Sequence, residues 1–203
     1  MRLILASASP RRAELLRAAG YEFDVLIADV DESIRDGESP SMYVRRLAAE
    51  KSAAAQSAWG SDLDRALFLG ADTTVVVDGE ILAKPRDDED AARMLARLAG
   101  RGHDVLTGVS LRRGAFELGR VETTRVYVAP LTEEEIASYI ATGEGRDKAG
   151  AYAIQGVASR FIPRIEGSYS NVVGLPVACV RELLTEISDT RRDRSSPRRS
   201  GAG

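Results

Sequence analysis

A chain of 203 residues with 44% hydrophobic and 29% charged residues has the make-up of one ordinary globular domain with a sizeable core. No apolar run approaches the roughly 20 residues of a membrane span, and residues 1–10 are too short and too soon followed by Arg11-Arg12 for a secretory signal, so a cytoplasmic location is expected. The net charge of −3 divides into +4 on residues 191–203, with five arginines and one aspartate, and −7 on the rest; an acidic body argues against nucleic acid as the main partner.

In chain order, Arg2–Ala6 reads as a short apolar strand, and the turn at residues 7–10 leads into a helix over 11–19 that stops at Gly20. Residues 21–28 alternate as a second strand would. Helical spacing then runs through Tyr43, Leu47, Ala48 and Ala54 over 41–59, started by Ser39-Pro40. Residues 67–82 hold two β-rich runs around Asp78-Gly79, a dipeptide that favours a tight hairpin. A helix is predicted over 87–99, with acidic residues at its start and Gly100 at its end. Residues 105–118 and 120–129 read as long strands joined near Gly114. Thr132 followed by Glu135 is a capping-box signature for a helix over 132–141. Residues 145–174 are rich in Gly, Ser, Tyr and Arg, and Pro176 opens a last helix to about Ser188. Interleaved helices, hairpins and crossovers predict an α/β fold with a mixed central sheet flanked by helices.

The expected division is one domain over 1–190 and an Arg-rich tail, 191–203, too poor in apolar surface to order itself. Salt-sensitive nucleic-acid contact through that tail is the weaker alternative. The single cysteine, Cys179, excludes an internal disulfide and sits in an apolar stretch as a small buried hydrophobe.

Chemistry concentrates in a few places. Ser9 is placed as N-cap and Pro10 as first helical residue, so the free N–H groups of that helix form an anion site, to which Arg11 and Arg12 add charge. Taken alone, the same residues are also a plain helix start with solvated arginines. Asp72 interrupts a run otherwise made of Phe68, Leu69, Val75 and Val76, where a buried carboxylate needs a metal, a cation or a hydrogen-bond network; a strand bulge is the other explanation. Lys51 and Lys84 offer point charges for phosphate oxygens, or are surface lysines. Asp31-Glu32 is a carboxylate pair suited to a divalent cation, or an exposed acidic loop. His103 reads as structural.

The motifs SASPRR, Asp31-Glu32-Ser33, GADTTV, AKPRD, DVLTGVSL, DKAGAYAIQG and GSYSNVVGLP, in order over residues 2–187, resemble the Maf nucleotide pyrophosphatases, a family once named for septum-formation inhibition. The resemblance implies an elongated α/β fold related to the ITP pyrophosphatases, with the active site in a cleft between two lobes. It implies Asp72 as catalytic proton acceptor and ligand, with Glu32, of a divalent cation, Mg2+ or Mn2+. Ser9, Arg12, Lys51 and Lys84 match phosphate-side positions, and Arg11, Thr73 and Gln155 match positions of substrate choice in members that prefer dTTP and UTP. Ala8 departs from the glycine of many members. The expected activity is cleavage of dTTP, UTP and modified pyrimidine triphosphates to the monophosphate and pyrophosphate. A member preferring 7-methyl-GTP or ITP and a nucleotide-binding regulator of cell division are the alternatives. A nucleotide is the expected partner, and a homodimer is left open.

Overall fold

The computed structural model describes residues 2–27, 29–60 and 63–195. Its centre is a mixed seven-stranded sheet in the order β2-β1-β3-β5-β6-β7, with β4 also on β3. The strands are β1 (Arg2–Ala6), β2 (Phe23–Val25), β3 (Ala66–Val77), β4 (Glu80–Leu82), β5 (Gly102–Arg113), β6 (Phe116–Tyr127) and β7 (Arg164–Glu166). β1 runs parallel to β2 and to β3, and every other pairing is antiparallel. The helices are α1 (Pro10–Ala18), α2 (Pro40–Trp59), α3 (Asp88–Leu98), α4 (Glu133–Ala141), α5 (Tyr169–Val173) and α6 (Val177–Ser195). The predicted α/β class and mixed sheet are what the chain forms.

The local signals act as their chemistry dictates. Ser39 accepts from the Met42 N–H at the start of α2, Asp87 accepts from Asp90 at the start of α3, and Thr132 and Glu135 close a full capping box on α4. Asp78 and Gly79 both have positive φ, 54° and 79°, as the two central residues of a tight β3–β4 hairpin require. Other expectations need correction. The second strand is only Phe23–Val25, because it pairs with β1 alone at the sheet edge. The β5–β6 turn lies between Arg113 and Phe116, so residues 116–118 belong to the second strand and not the first. Residues 145–174 hold β7 and α5, which composition did not signal. The last helix runs to Ser195 and takes in the beginning of the predicted tail; residues 196–203 lie outside the described residues.

β3 and β5 are long enough to serve two cores on one face of the sheet, while Phe68 and Val76 of β3 join two smaller clusters with α2 on the other. Leu67, Leu69 and Ala71 of β3 pack with α1 and α6, around Leu16, Val180 and Leu183. Further along, Val75 and Val77 pack with α3 and α4, around Leu95, Leu98 and Tyr139. The chain is therefore one sheet with two apolar lobes along it, and Asp72 lies on β3 at the point where one core gives way to the other. Cys179 is buried in the first core, where burial pushes its thiol up to about 11, consistent with an inert hydrophobe.

Candidate active site

A cleft of about 500 Å3 opens where the sheet is incomplete. One edge of β3 pairs with β1 as far as Gly70 and with β4 from Val75 onward, so residues 71–74 meet neither strand on that side. The other edge pairs with β5 without interruption, Asp72 opposite Gly108, so Asp72 sits in regular strand and not at a bulge. Alternation puts Asp72 on the α2 side of the sheet and Thr73 on the α1 side. Because the edge is open there, both line the same cleft.

Helix α2 lies unusually close to this face. A Cβ on Gly70 would fall 2.1 Å from the Ala48 carbonyl oxygen, and one on Gly108 would fall 2.1 Å from that of Val44. Two side-chain-free positions on adjacent strands thus let the helix backbone touch the sheet. That seat brings Lys51 Nζ to 2.7 Å from Asp72 Oδ1 and 2.6 Å from Glu32 Oε1. The loop carrying Glu32 is fastened to the same helix, since Tyr43 donates to the Glu32 carbonyl at 3.0 Å and Arg46 donates to the carbonyls of Asp31 and Ser33. Burial works against ionisation of Glu32, but the Lys51 hydrogen bond and the charges of Lys51, Lys84 and Arg12 outweigh it and lower its pKa. Burial and the charges of Asp72 and Glu32 push the Tyr43 phenol up to about 12.

The opposite wall is the start of α1. Ser9 occupies the N-cap position, but its side chain makes no capping bond; Ser7 Oγ instead accepts from the Ser9 N–H at 3.2 Å. The first-turn N–H groups therefore stay available to an anion. Ala8 causes no strain, because Asp78 and Ala151 alone among the described non-glycine residues have positive φ. Arg12 turns inward. Its Nε donates to Gly174 O at 2.8 Å, Nη1 to Ala71 O at 2.8 Å and Ser7 Oγ at 3.1 Å, and Nη2 to Thr73 Oγ1 at 3.0 Å. One guanidinium thus ties α1, β3 and the end of α5 together, with only neutral oxygens as direct partners. Burial lowers its pKa, the Asp72 and Glu32 charges oppose that, and Arg11 adds to the lowering. The result is a permanent positive charge in the wall of the cleft, a place an anion completes.

Lys84 is exposed where the chain leaves β4, and Arg11 Nη1 lies 3.3 Å from Asp147 Oδ2. Gln155 is exposed on the loop between α4 and β7. All nine residues singled out from the sequence, Ser9, Arg11, Arg12, Glu32, Lys51, Asp72, Thr73, Lys84 and Gln155, line this one cleft. Tyr43, Asp147, Lys148 and Gly174 line it too, and sequence reasoning passed over them. Lys148 and Asp147 stand inside the DKAGAYAIQG motif and were within reach; Tyr43 and Gly174 look like ordinary packing residues. His103 is fully buried with Nε2 2.7 Å from the Tyr152 hydroxyl, a structural role as expected.

The Maf-like protein family model matches residues 2–187. A dTTP/UTP pyrophosphatase of Anaeromyxobacter sp. is 53% identical, covering 90% of this chain and 88% of its own length. The dTTP/UTP pyrophosphatase of Koribacter versatilis is 52% identical over 91% and 93%, and that of Pseudoalteromonas atlantica 49% identical over 92% and 97%. A solved dITP/XTP pyrophosphatase from Mycobacterium abscessus is matched at 16% identity and TM-score 0.44, covering 97% of this chain and 98% of that one. The matched span takes in both lobes and every wall of the cleft, and the chain belongs to the Maf-like protein family.

Proposed function

We propose that this chain hydrolyses dTTP, UTP and pyrimidine triphosphates modified away from the recognition edge, giving the nucleoside monophosphate and pyrophosphate. The observation that carries the reading is the Lys51 ammonium held between the carboxylates of Asp72 and Glu32, at 2.7 and 2.6 Å, opposite a helix N-terminus. Carboxylates and cations on facing walls suit a polyphosphate that needs both charge neutralisation and an activated water. The names of relatives near 50% identity support the same substrates.

In this reading a water attacks the α phosphorus, its proton passes to the Asp72 carboxylate, and the bond from the α phosphorus to the α,β-bridging oxygen breaks. Pyrophosphate leaves with the electron pair. Ser9 and the α1 N–H groups orient the phosphates, while Lys51, Lys84 and the buried charge of Arg12 stabilise negative charge as it moves to the leaving group. The oxygen donors of Asp72 and Glu32, both within hydrogen-bonding distance of one cationic atom, fit a hard divalent ion, Mg2+ or Mn2+. Among the described residues no third carboxylate, imidazole or thiol joins them, so Asp72 and Glu32 would hold such an ion together with oxygens of the substrate. When bound, the ion neutralises phosphate charge.

Incubating the protein with a panel of nucleoside triphosphates and measuring released pyrophosphate tests the proposal. The expected result is turnover led by dTTP and UTP; fastest cleavage of 7-methyl-GTP or ITP overturns the base assignment, and tight binding without pyrophosphate release overturns the enzyme.

A further inference from the structure

Gln155 is exposed, while residues 151–154 before it are buried, as is Ala158 beyond the exposed Val157. Two side chains that do not line the cleft hold this segment from behind. Tyr139 of α4, 2% exposed, accepts the Ala153 N–H on its hydroxyl at 3.1 Å. Burial, aided by the nearby Glu144 charge and opposed by the Ala153 contact, raises the Tyr139 phenol well above its ordinary range, so it stays protonated. Glu144 reaches past Gln155 to the far side, where Oε1 accepts the Val157 N–H at 2.9 Å and Oε2 that of Ala158 at 3.4 Å. Only glycine leaves room for that carboxylate, since a Cβ on residue 156 would lie 1.6 Å from Glu144 Oε1.

A phenylalanine would fill the apolar lobe around Tyr139 equally well, so the hydroxyl is there for its hydrogen bond. Backbone N–H groups before and after Gln155 are thereby fixed by two side chains, one on each flank, and an amide that discriminates by hydrogen bonding depends on where its backbone stands.

We infer that Tyr139 and Glu144 are positioning residues for base selection, setting the stance of the Gln155 amide while the phosphate chemistry runs independently of them. The inference rests on the reading that Gln155 senses the base. The test compares kcat and KM for UTP and CTP in the full-length protein with Tyr139→Phe, Glu144→Ala, Glu144→Gln, Gln155→Ala and the double variant Tyr139→Phe/Gln155→Ala. Tyr139→Phe keeps the ring and its edge contact with Phe161, so the lobe stays folded, which circular dichroism checks.

The expected result is a fall of about three- to tenfold in the UTP:CTP preference for Tyr139→Phe and Glu144→Ala, through KM for UTP, with kcat on UTP within about twofold. Glu144→Gln, which keeps one acceptor oxygen, falls in between. The double variant is no less selective than Gln155→Ala alone, because the clamp acts only through that amide. An unchanged preference, or an equal loss of kcat on both nucleotides, overturns the clamp. If Gln155→Ala itself leaves the preference intact, the base reading falls and the clamp with it; if Gln155→Ala lowers it and the clamp variants do not, the clamp alone falls.

Discussion

At one end of the cleft the functional groups are charged and most stand on regular elements: Arg12 on α1, Lys51 on α2, Asp72 on β3. At the other end the group we propose to face the base is a neutral amide on an irregular loop whose backbone is held by hydrogen bonds to side chains that do not line the cleft. The difference follows from what each end must do. Charge acts at a distance, so it needs rigid placement but tolerates small shifts, whereas a hydrogen-bonded edge is lost within an ångström. The charged end is therefore built from elements packed on the sheet, and the neutral end from a loop clamped on both flanks.

The largest expected effect lies at the charged end. Asp72→Asn keeps size and shape but removes the proton acceptor, so turnover falls by at least about 10²-fold while the melting temperature changes little. Retention of more than a tenth of wild-type kcat in steady-state assays removes Asp72 from that role. Gly70→Ala tests placement without touching a charge. Its new Cβ meets the Ala48 carbonyl of α2, which must lift and carry Lys51 away from Asp72. A destabilisation of about 3 kcal/mol by urea unfolding, with a fall in kcat, is expected; a variant of parental stability and turnover shows that the helix seat does not set the site.

The same contrast explains what the sequence disclosed. An aspartate inside GADTTVVV and two arginines at a helix start conflict with their local surroundings, and a local conflict is visible in one dimension, whereas Lys51 stands out only through the family resemblance. The capping box, the hairpin dipeptide and most element starts are likewise local chemistry. The inward turn of Arg12 was not legible, because its partners Ala71 and Gly174 are distant in sequence and offer only carbonyl oxygens, which every residue possesses. Nor was the clamp behind Gln155, where Tyr139 reads as one more apolar helix position. The short strand β7 and helix α5 escaped for a similar reason, as β7 pairs with β6 and α5 packs on β5, β6 and α1, all distant in sequence.

A smaller effect is a dependence of stability on pH. Burial, helped by the Arg125 charge and opposed by Asp104, pushes His103 from its ordinary 6.5 down to about 4. Because the folded pKa is the lower one, protons favour the unfolded chain: the stabilisation is complete above about pH 6.5 and is lost as pH falls toward 4. The shift corresponds to about 3 kcal/mol at most, of which about 2 is expected between pH 6.5 and 5. His103→Gln lowers stability at pH 7.5 but flattens its dependence over that window; thermal melts that stay parallel to wild type assign the acid sensitivity to other groups.

The finest distinction is the one proposed for Gln155. Uracil and thymine present a carbonyl at position 4 beside an N–H at position 3, and a carboxamide can donate to the first and accept from the second, whereas cytosine offers an amino group and a bare nitrogen at those positions. Against cytosine the same amide has to turn over or leave its groups unpaired, and an unpaired polar group in a desolvated contact is what rejects the wrong base. Gln155→Ala removes both partners at once. UTP then loses its advantage while CTP loses nothing, so the UTP:CTP ratio of kcat/KM falls by about tenfold, about 1.4 kcal/mol, with most of the change in KM for UTP. The phosphate groups are untouched, so kcat for CTP stays near its wild-type value and dTTP follows UTP, since the two share the same edge. A Gln155→Ala enzyme that slows on UTP and CTP alike places the residue with the phosphate machinery instead and removes the division between the two ends of the cleft.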